Sequence, residues 1–330
     1  MNINDIDTKN KVFIIAEIGN NHEGNFEIAK KMIIKAAESG ADAVKFQTFV
    51  PENISSGDHS RLKRLNKFKF SFEQFEKLAL IARENNIIFF STPFDIESAK
   101  FLNKIQPLFK IASGDNNFYP LIKVVKSFGK PVILSTGCAD LENIKKIYSE
   151  IKKFDDKNTD TNYLNFAFLH CVSSYPVPVD QANLASIIHL RKHFPNIEIG
   201  YSDHTLGIEA AVSSVFAGAR IIEKHFTLDK NFSDFRDHNL SADPVDMKNL
   251  VQKVREAEKL FGTDNKEIQL CEKEMLTLGR RSIASAYDLP SGTILKYSDF
   301  TWIRPGIGFA PGEEQKLIGK KTKKDLKIWQ

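Results

Sequence analysis

The chain has 330 residues, 42% of them hydrophobic and 27% charged, ordinary globular usage that excludes disorder, collagen-like repeats and coiled coil as the dominant class. At roughly 150 residues per domain the length allows one large domain with a small one, or two of medium size. Its 46 Lys+Arg against 42 Asp+Glu leave a net +4, interleaved except for a basic run at Lys320 to Lys324, so no nucleic-acid partner is expected.

Short β-branched or aromatic runs alternate with segments of helical period, the pattern of βα units around a parallel sheet. The expected strands are Val12 to Ile18, Ala43 to Thr48, Ile87 to Thr92, Phe109 to Ser113, Pro131 to Thr136, Asn165 to Val172, Ile197 to Ser202 and Ala219 to Phe226. Amphipathic stretches lie between them at Phe26 to Ser39, Phe72 to Glu84, Leu121 to Phe128, Leu141 to Lys152, Gln181 to His193 and Leu206 to Phe216, and Val245 to Leu260 follows the last strand. This is the rhythm of an α/β (β/α)8 TIM barrel over residues 1–262. A linker is expected at 263–280, and residues 281–330, with Gly and Pro turns between short apolar runs, read as a small β-rich domain.

The three cysteines, Cys138, Cys171 and Cys271, are odd in number and lack CxxC spacing. They indicate neither a disulfide framework nor a zinc knuckle, and fit a reducing compartment. The polar start and the Glu17 interruption of the first apolar run are wrong for a signal peptide. The longest stretch free of acidic and basic residues, Thr161 to Val179, is broken by polar residues and two prolines, so no membrane span is expected. The expected location is cytoplasmic.

In such a barrel reacting groups gather where strands end and βα loops begin. Every apolar run here ends in that way: Glu17; Lys45 and Gln47; Ser91 and Thr92; Lys110 and Ser113; Ser135 and Thr136; His170 and Ser173; Ser202, Asp203 and His204; Glu223, Lys224 and His225. His204 and His225 sit one strand apart. They either share a divalent cation of Mn2+ or Mg2+ type or serve as satisfied core or cap histidines. Lys45 and Lys110 on an apolar lining need anionic company. With the hydroxyls of Thr92, Ser113, Ser135 and Ser202 they can clamp a phosphate and a carboxylate; alternatively each closes an internal ion pair with Glu17, Asp115 or Glu223. Glu17, Asp115 and Asp237 are candidate general bases or sugar ligands.

Eight motifs in order, AEIGNNHEG from Ala16, VKFQT from Val44, STPF from Ser91, KIASGD from Lys110, GKPVILSTG from Gly129, LHCVSSYP from Leu169, GYSDHT from Gly200 and EKHFTLDK from Glu223, resemble the sialic acid synthases, also called N-acetylneuraminate or nonulosonate synthases. WIRPGIG from Trp302 resembles the antifreeze-like (β-clip, SAF) domain that follows the barrel in that family. The resemblance implies condensation of phosphoenolpyruvate with an N-acyl hexosamine such as N-acetylmannosamine, giving a nine-carbon 2-keto acid and phosphate for lipopolysaccharide or capsule biosynthesis. It implies a divalent metal on His204 and His225, Mn2+ first, with Mg2+ or Co2+ as alternatives. Lys45, Thr92, Lys110, Ser113, Ser135 and Ser202 match phosphoenolpyruvate contacts. Glu17, Asp115, Tyr175 and Asp237 match the sugar and proton-transfer side, Gln47 and Ser173 count as further substrate contacts, and Glu17, His204 and Asp237 are the catalytic groups. Arg304 matches an arginine that reaches the N-acyl group in the other subunit, which implies a domain-swapped homodimer.

The chain departs from the family pattern at Asp115 to Pro120, at Ser173 where Asn is frequent, and at Arg236-Asp237-His238 after the last strand. It ends at LKIWQ, short of the final hairpin usual in antifreeze-like domains. These changes bear on the acceptor more than on the reaction. The alternatives are a legionaminic or pseudaminic acid synthase taking a 2,4-diacetamido-dideoxyhexose, a sugar-binding homologue without catalysis, and a Schiff-base lyase on a similar barrel.

Overall fold

The computed structural model describes residues 1–54, 59–153, 165–263 and 265–330. Residues 161–164 of the charge-free stretch and 264 of the expected linker lie outside it. The described chain forms two units, Met1–Gly262 and Thr263–Gln330.

The first unit is an eight-stranded parallel barrel. Its strands are β1 (Phe13–Gly19), β2 (Ala43–Thr48), β3 (Ile88–Pro93), β4 (Phe109–Ile111), β5 (Val132–Ser135), β6 (Phe166–Cys171), β7 (Glu198–Asp203) and β8 (Ile221–His225). The hydrogen-bonded order runs β3-β2-β1-β8-β7-β6-β5-β4, each pair parallel. Strands buried on both faces read as near-continuous apolar runs, which is why β1 (FIIAEIG) is buried throughout.

The helices around the barrel are α1 (Phe26–Glu38), α2 (Phe72–Glu84), α3 (Ile96–Leu102), α4 (Tyr119–Ser127), α5 (Leu141–Lys153), α6 (Ala185–His193), α7 (Glu209–Phe216) and α8 (Pro244–Phe261). Their starts are chemically marked. Asn25 caps α1, Ser71 and Gln74 form a capping box on α2, and Asp95 and Asp243 cap α3 and α8, each satisfying amides that the first turn leaves free. The expected helix from Gln181 begins only at Ala185, after Asn183 takes a left-handed φ of 44°. The one from Leu206 begins at Glu209, after Gly207 at φ 76°. The fourth strand stops at Ile111 because Ser113–Asp115 turns into a 3-10 helix.

Side chains alternate along each strand. The outward set, among them Ile14, Val44, Phe46 and Phe168, packs under the helices. The inward set fills the lower barrel with Phe13, Ile15, Ala43, Phe90, Ile133, Ala167, Leu169 and Ile221. Ile3, from an N-terminal hairpin pairing Asn2–Ile3 with Ile6–Asp7, joins this inner cluster and closes that end. The hairpin has no counterpart in the sequence reading.

β3 and β4 are the end strands of the sheet, and a side chain ties them. Gln106 is 3% exposed; its Oε1 accepts from the Ser91 amide at 2.8 Å and its Nε2 donates to the Ser91 carbonyl at 3.3 Å. The Lys130 ammonium holds the backbone before β4 by donating to the Gln106 carbonyl at 2.7 Å.

The second unit contains a short helix, Lys273–Leu278, within the expected linker, and an antiparallel pair β9 (Ser282–Ser285) and β10 (Phe300–Ile303). Isolated bridges Leu289 to Leu326 and Ile294 to Lys321 complete its β character.

Gln106→Ala leaves the buried Ser91 amide without an acceptor, so stability should fall by about 1–3 kcal/mol. Denaturant unfolding followed by far-UV circular dichroism measures it, and a midpoint equal to that of the parent would refute the role given to the seam.

Candidate active site

The inward positions that are apolar low in the barrel become polar at the C-terminal ends of the same strands. Two residues beyond Ile15 stands Glu17, beyond Ala43 stands Lys45, beyond Phe90 stands Thr92, beyond Ile133 stands Ser135, and beyond Ile221 stands Glu223. Parallel register then fixes neighbours: Glu17 lies beside Lys45 and His225, and Glu223 beside Ser202. These groups line a cavity of about 680 Å3.

Four buried charges form its floor. Lys45 Nζ lies 2.8 Å from Glu17 and 3.4 Å from Glu223, and it donates to Thr92 Oγ1 at 3.0 Å. Lys110 Nζ lies 3.5 Å from Glu223 and 3.4 Å from the Ile111 carbonyl, both long for charge-assisted bonds. Glu223 also accepts from Ser202 Oγ at 2.7 Å. Burial pushes the Glu17 carboxyl up against the opposing pull of Lys45. Glu223 is also buried, but the two ammonium groups hold it well below the carboxylate range. Burial lowers Lys110, which Glu223 compensates only in part, while Lys45 is raised because its two carboxylates outweigh burial. Lys110 is therefore the cation with most to gain from an incoming anion.

The histidines meet above this floor. The rings of His204 and His225 have centroids 5.4 Å apart, and Tyr175 lies 4.2 Å from His204 and 6.0 Å from His225. His204 Nδ1 is 2.9 Å from the Val172 carbonyl, which can only accept, so Nδ1 carries the proton and Nε2 presents its lone pair. Cys171 Sγ stands 3.8 Å behind the same nitrogen. Burial opposes charge on His204, yet the Cys171 and Val172 contacts raise its pKa. His225 is lowered far below its usual range by burial and by the adjacent His204 and Lys45. Ser135 Oγ and His225 Nδ1 are buried without a hydrogen-bond partner among the described residues, a condition native interiors rarely tolerate away from ligand sites.

Thirteen of the fifteen expected site residues line this one cavity: Glu17, Lys45, Gln47, Thr92, Lys110, Ser113, Ser135, Ser173, Tyr175, Ser202, His204, His225 and Asp237. Asp115 is not brought there. It sits on the 3-10 turn after β4, its Oδ2 buried and unpartnered among the described residues. Arg304 belongs to the second unit, exposed, its Nε donating to the Gly279 carbonyl at 2.7 Å. The internal ion pairs weighed for the lysines do form, with Glu17 and Glu223 and not with Asp115. Sequence reasoning left Glu223 and Cys171 out of the site, although both occupy inward strand-end positions. It also missed an aromatic rim of Phe49, Phe68, Phe94 and Phe235, for which loops gave no periodic signal.

A family model described as the NeuB family matches residues 32–266. The chain belongs to the NeuB family. It is 36% identical to the N,N'-diacetyllegionaminic acid synthase of Campylobacter jejuni, over 96% of this chain and 97% of that protein. It is likewise 36% identical to the pseudaminic acid synthase of the same species, over 99% and 97%. Among solved structures, an N-acetylneuraminic acid (sialic acid) synthetase from Leptospira borgpetersenii in complex with citrate superposes with a TM-score of 0.78 at 35% identity, covering 84% of this NeuB-family chain and 94% of that one.

The metal implied by the resemblance suits the donors present. His204 offers a bare Nε2 with its other nitrogen fixed on a carbonyl, as metal-bound histidines do, and the unpartnered Nδ1 of His225 belongs to the same wall. No cluster of three or more His, Cys, Asp or Glu donors occurs among the described residues, so a metal held by these two imidazoles would need water or substrate oxygens to complete its shell.

Burial lifts Asp115 from 3.8 to about 6. The folded state thus binds this proton more tightly than the unfolded chain, so its contribution to stability is present below about pH 4 and is lost as pH rises towards 6. Asp115→Asn should match the parent's thermal midpoint near pH 4 and exceed it at pH 8. Equal midpoints at both pH values would remove Asp115 from the pH response.

Proposed function

We propose that this protein is a metal-dependent nonulosonate synthase that condenses phosphoenolpyruvate with an N-acyl hexosamine, forming a nine-carbon 2-keto sugar acid and releasing phosphate. The observation that carries this reading is the meeting, in one cavity, of two buried lysines with two histidines, His204 with Nδ1 on a carbonyl and its Nε2 lone pair free, and His225 with an unpartnered Nδ1 among the described residues. The names of the NeuB relatives support the same class of product.

Lys110, with its long contacts, and Lys45 receive the phosphate and carboxylate of phosphoenolpyruvate, helped by the hydroxyls of Thr92, Ser113 and Ser135. Binding brings the negative charge that the lysines now draw from Glu17 and Glu223. A divalent cation, Mn2+ first and Mg2+ or Co2+ as alternatives, would supply Lewis-acid polarisation of the acceptor's open-chain aldehyde at His204 and His225. C3 of the enol attacks that carbon, water adds at C2, and the tetrahedral centre expels phosphate. Glu17 and Asp237, carboxyl groups that burial raises, are placed to move protons at the two ends of this sequence, with Tyr175 and Gln47 orienting the sugar. The aromatic rim offers apolar surface to acyl or deoxy groups of the acceptor, which favours a 2,4-diacetamido-dideoxyhexose beside N-acetylmannosamine. We extend the reading to residues 281–330 as an antifreeze-like domain whose Arg304 reaches the acceptor in a second subunit of a cytoplasmic, domain-swapped homodimer.

The test is phosphate release from phosphoenolpyruvate by EDTA-treated protein, with and without added Mn2+, against each acceptor. Mn2+-dependent release with at least one of them is expected, and Lys110→Met should lower kcat/KM by about 10²-fold or more. Folded, metal-loaded protein that releases no phosphate with either acceptor would overturn the reading.

A further inference from the structure

Directly after β1, residues 20–24 read NNHEG. Glu23 there takes a left-handed φ of 46°, uncommon for a residue with a Cβ, and Gly24, at φ 79°, passes so near the helix His59–Phe68 that a Cβ on it would lie 2.1 Å from the Lys67 carbonyl. This conformation aims the Glu23 carboxylate at two other segments. Its Oε2 lies 3.2 Å from Lys67 Nζ. Its Oε1 accepts from Ser233 Oγ and lies 3.4 Å from His238 Nε2. The lysine is exposed, and such a pair contributes little; the other two partners belong to the loop after β8.

The Glu23 carboxylate fixes the direction of the first bond in this network. A carboxylate has none to give, so His238 Nε2 carries the proton and donates to Glu23. His238 Nδ1 lies 2.7 Å from Thr227 Oγ1, and the Thr227 hydroxyl also faces the Asp229 carbonyl at 3.0 Å and accepts from the Asp229 amide at 3.3 Å, so it links the His238 ring to the start of the loop. Ser233 Oγ, while donating to Glu23, accepts from the Phe235 amide at 3.1 Å. Both His238 and Thr227 are fully buried. Asn21 braces the ends of the same loop, donating to the Phe226 carbonyl at 2.8 Å and to Ser241 Oγ at 3.0 Å, and Ser241 holds the Asp237 carbonyl at 2.5 Å. Both tied segments line the cavity: Leu65 and Phe68 on the helix, Phe235 and Asp237 on the loop. They touch where Phe68 meets Phe235 edge-on at 5.2 Å.

We propose that Glu23 is a positioning residue: through His238 and Thr227 it holds the loop that carries Asp237, and so sets the acceptor half of the site without touching the floor. The kinetic side of this inference rests on the synthase reading; the structural side does not. The side-chain bonds of Glu23, His238 and Thr227 run to Lys67 and to the loop after β8, whereas the floor is reached from the same turn by a separate route, Asn20 to Gln47 to Glu17, so loss of the Glu23 ties should act on the sugar more than on phosphoenolpyruvate.

The experiment compares Thr227→Val, which keeps the volume and removes the hydroxyl, with Thr227→Ser, which restores it, and Glu23→Ala with Glu23→Gln, which keeps an acceptor oxygen. Thr227→Val and Glu23→Ala should raise the acceptor KM about tenfold while the phosphoenolpyruvate KM stays within about twofold, and the Ser and Gln variants should return towards the parent. Amide hydrogen exchange over residues 233–241, measured on the same proteins, should rise in the Val and Ala variants and needs no turnover. Unchanged exchange, or equal movement of both KM values, would overturn the proposal. A parent protein without synthase activity but with the exchange response intact would instead overturn the functional reading and leave the clasp standing.

Discussion

Four buried charges, Glu17, Lys45, Lys110 and Glu223, constrain everything built around them. Taking ammonium and carboxylate groups out of water is costly, and their mutual attraction offsets that cost only with good geometry and further hydrogen bonds. The barrel supplies such geometry for Lys45, which touches both carboxylates and Thr92. It leaves Lys110 with contacts of 3.4 Å and longer. That inequality leaves the floor with one closely paired cation and one loosely held. It also accounts for the opposite pKa shifts of two lysines on the same lining.

The fold delivers this set through the two-residue alternation of strands. A shift of one residue in any strand would bury its polar end under the helices and turn its apolar residues to the cavity. The continuous layer of Phe13, Ala43, Phe90, Ile133 and Ile221 beneath the charged layer therefore fixes register as well as filling the barrel. In this sense the apolar plug is part of the site, since it decides which strand-end residues face inward.

Much of this was legible in the residues. Ala43–Thr48 and Phe72–Glu84 have the expected bounds, because a β-branched run between helices and a Ser71-capped amphipathic stretch are local signals. Strand-end polarity led to the lysines and histidines for the same reason. Glu223 counts in the sequence as a strand-end group and an ion-pair partner but not as a site residue: three polar residues in a row, Glu223-Lys224-His225, do not announce which of them turn inward. Lys224 in fact points away, paired with Asp203 at 2.9 Å. The seam at Gln106 and the ties around Glu23 were illegible for a different reason. Gln106 lies 15 residues from Ser91 with a helix between them, and the ties around Glu23 join residues up to 220 apart, so neither leaves a periodic signal and only the folded chain brings the partners together.

The seam separates this barrel from a fully laddered one. Seven of its strand junctions are zipped by parallel backbone pairing, and the eighth is fastened by one amide side chain. Resistance to shear is therefore unevenly distributed around the wall. The strands that carry Thr92 and Lys110 are the neighbours without a backbone ladder, so on that side of the cavity one residue, Gln106, stands where main-chain pairing holds every other junction.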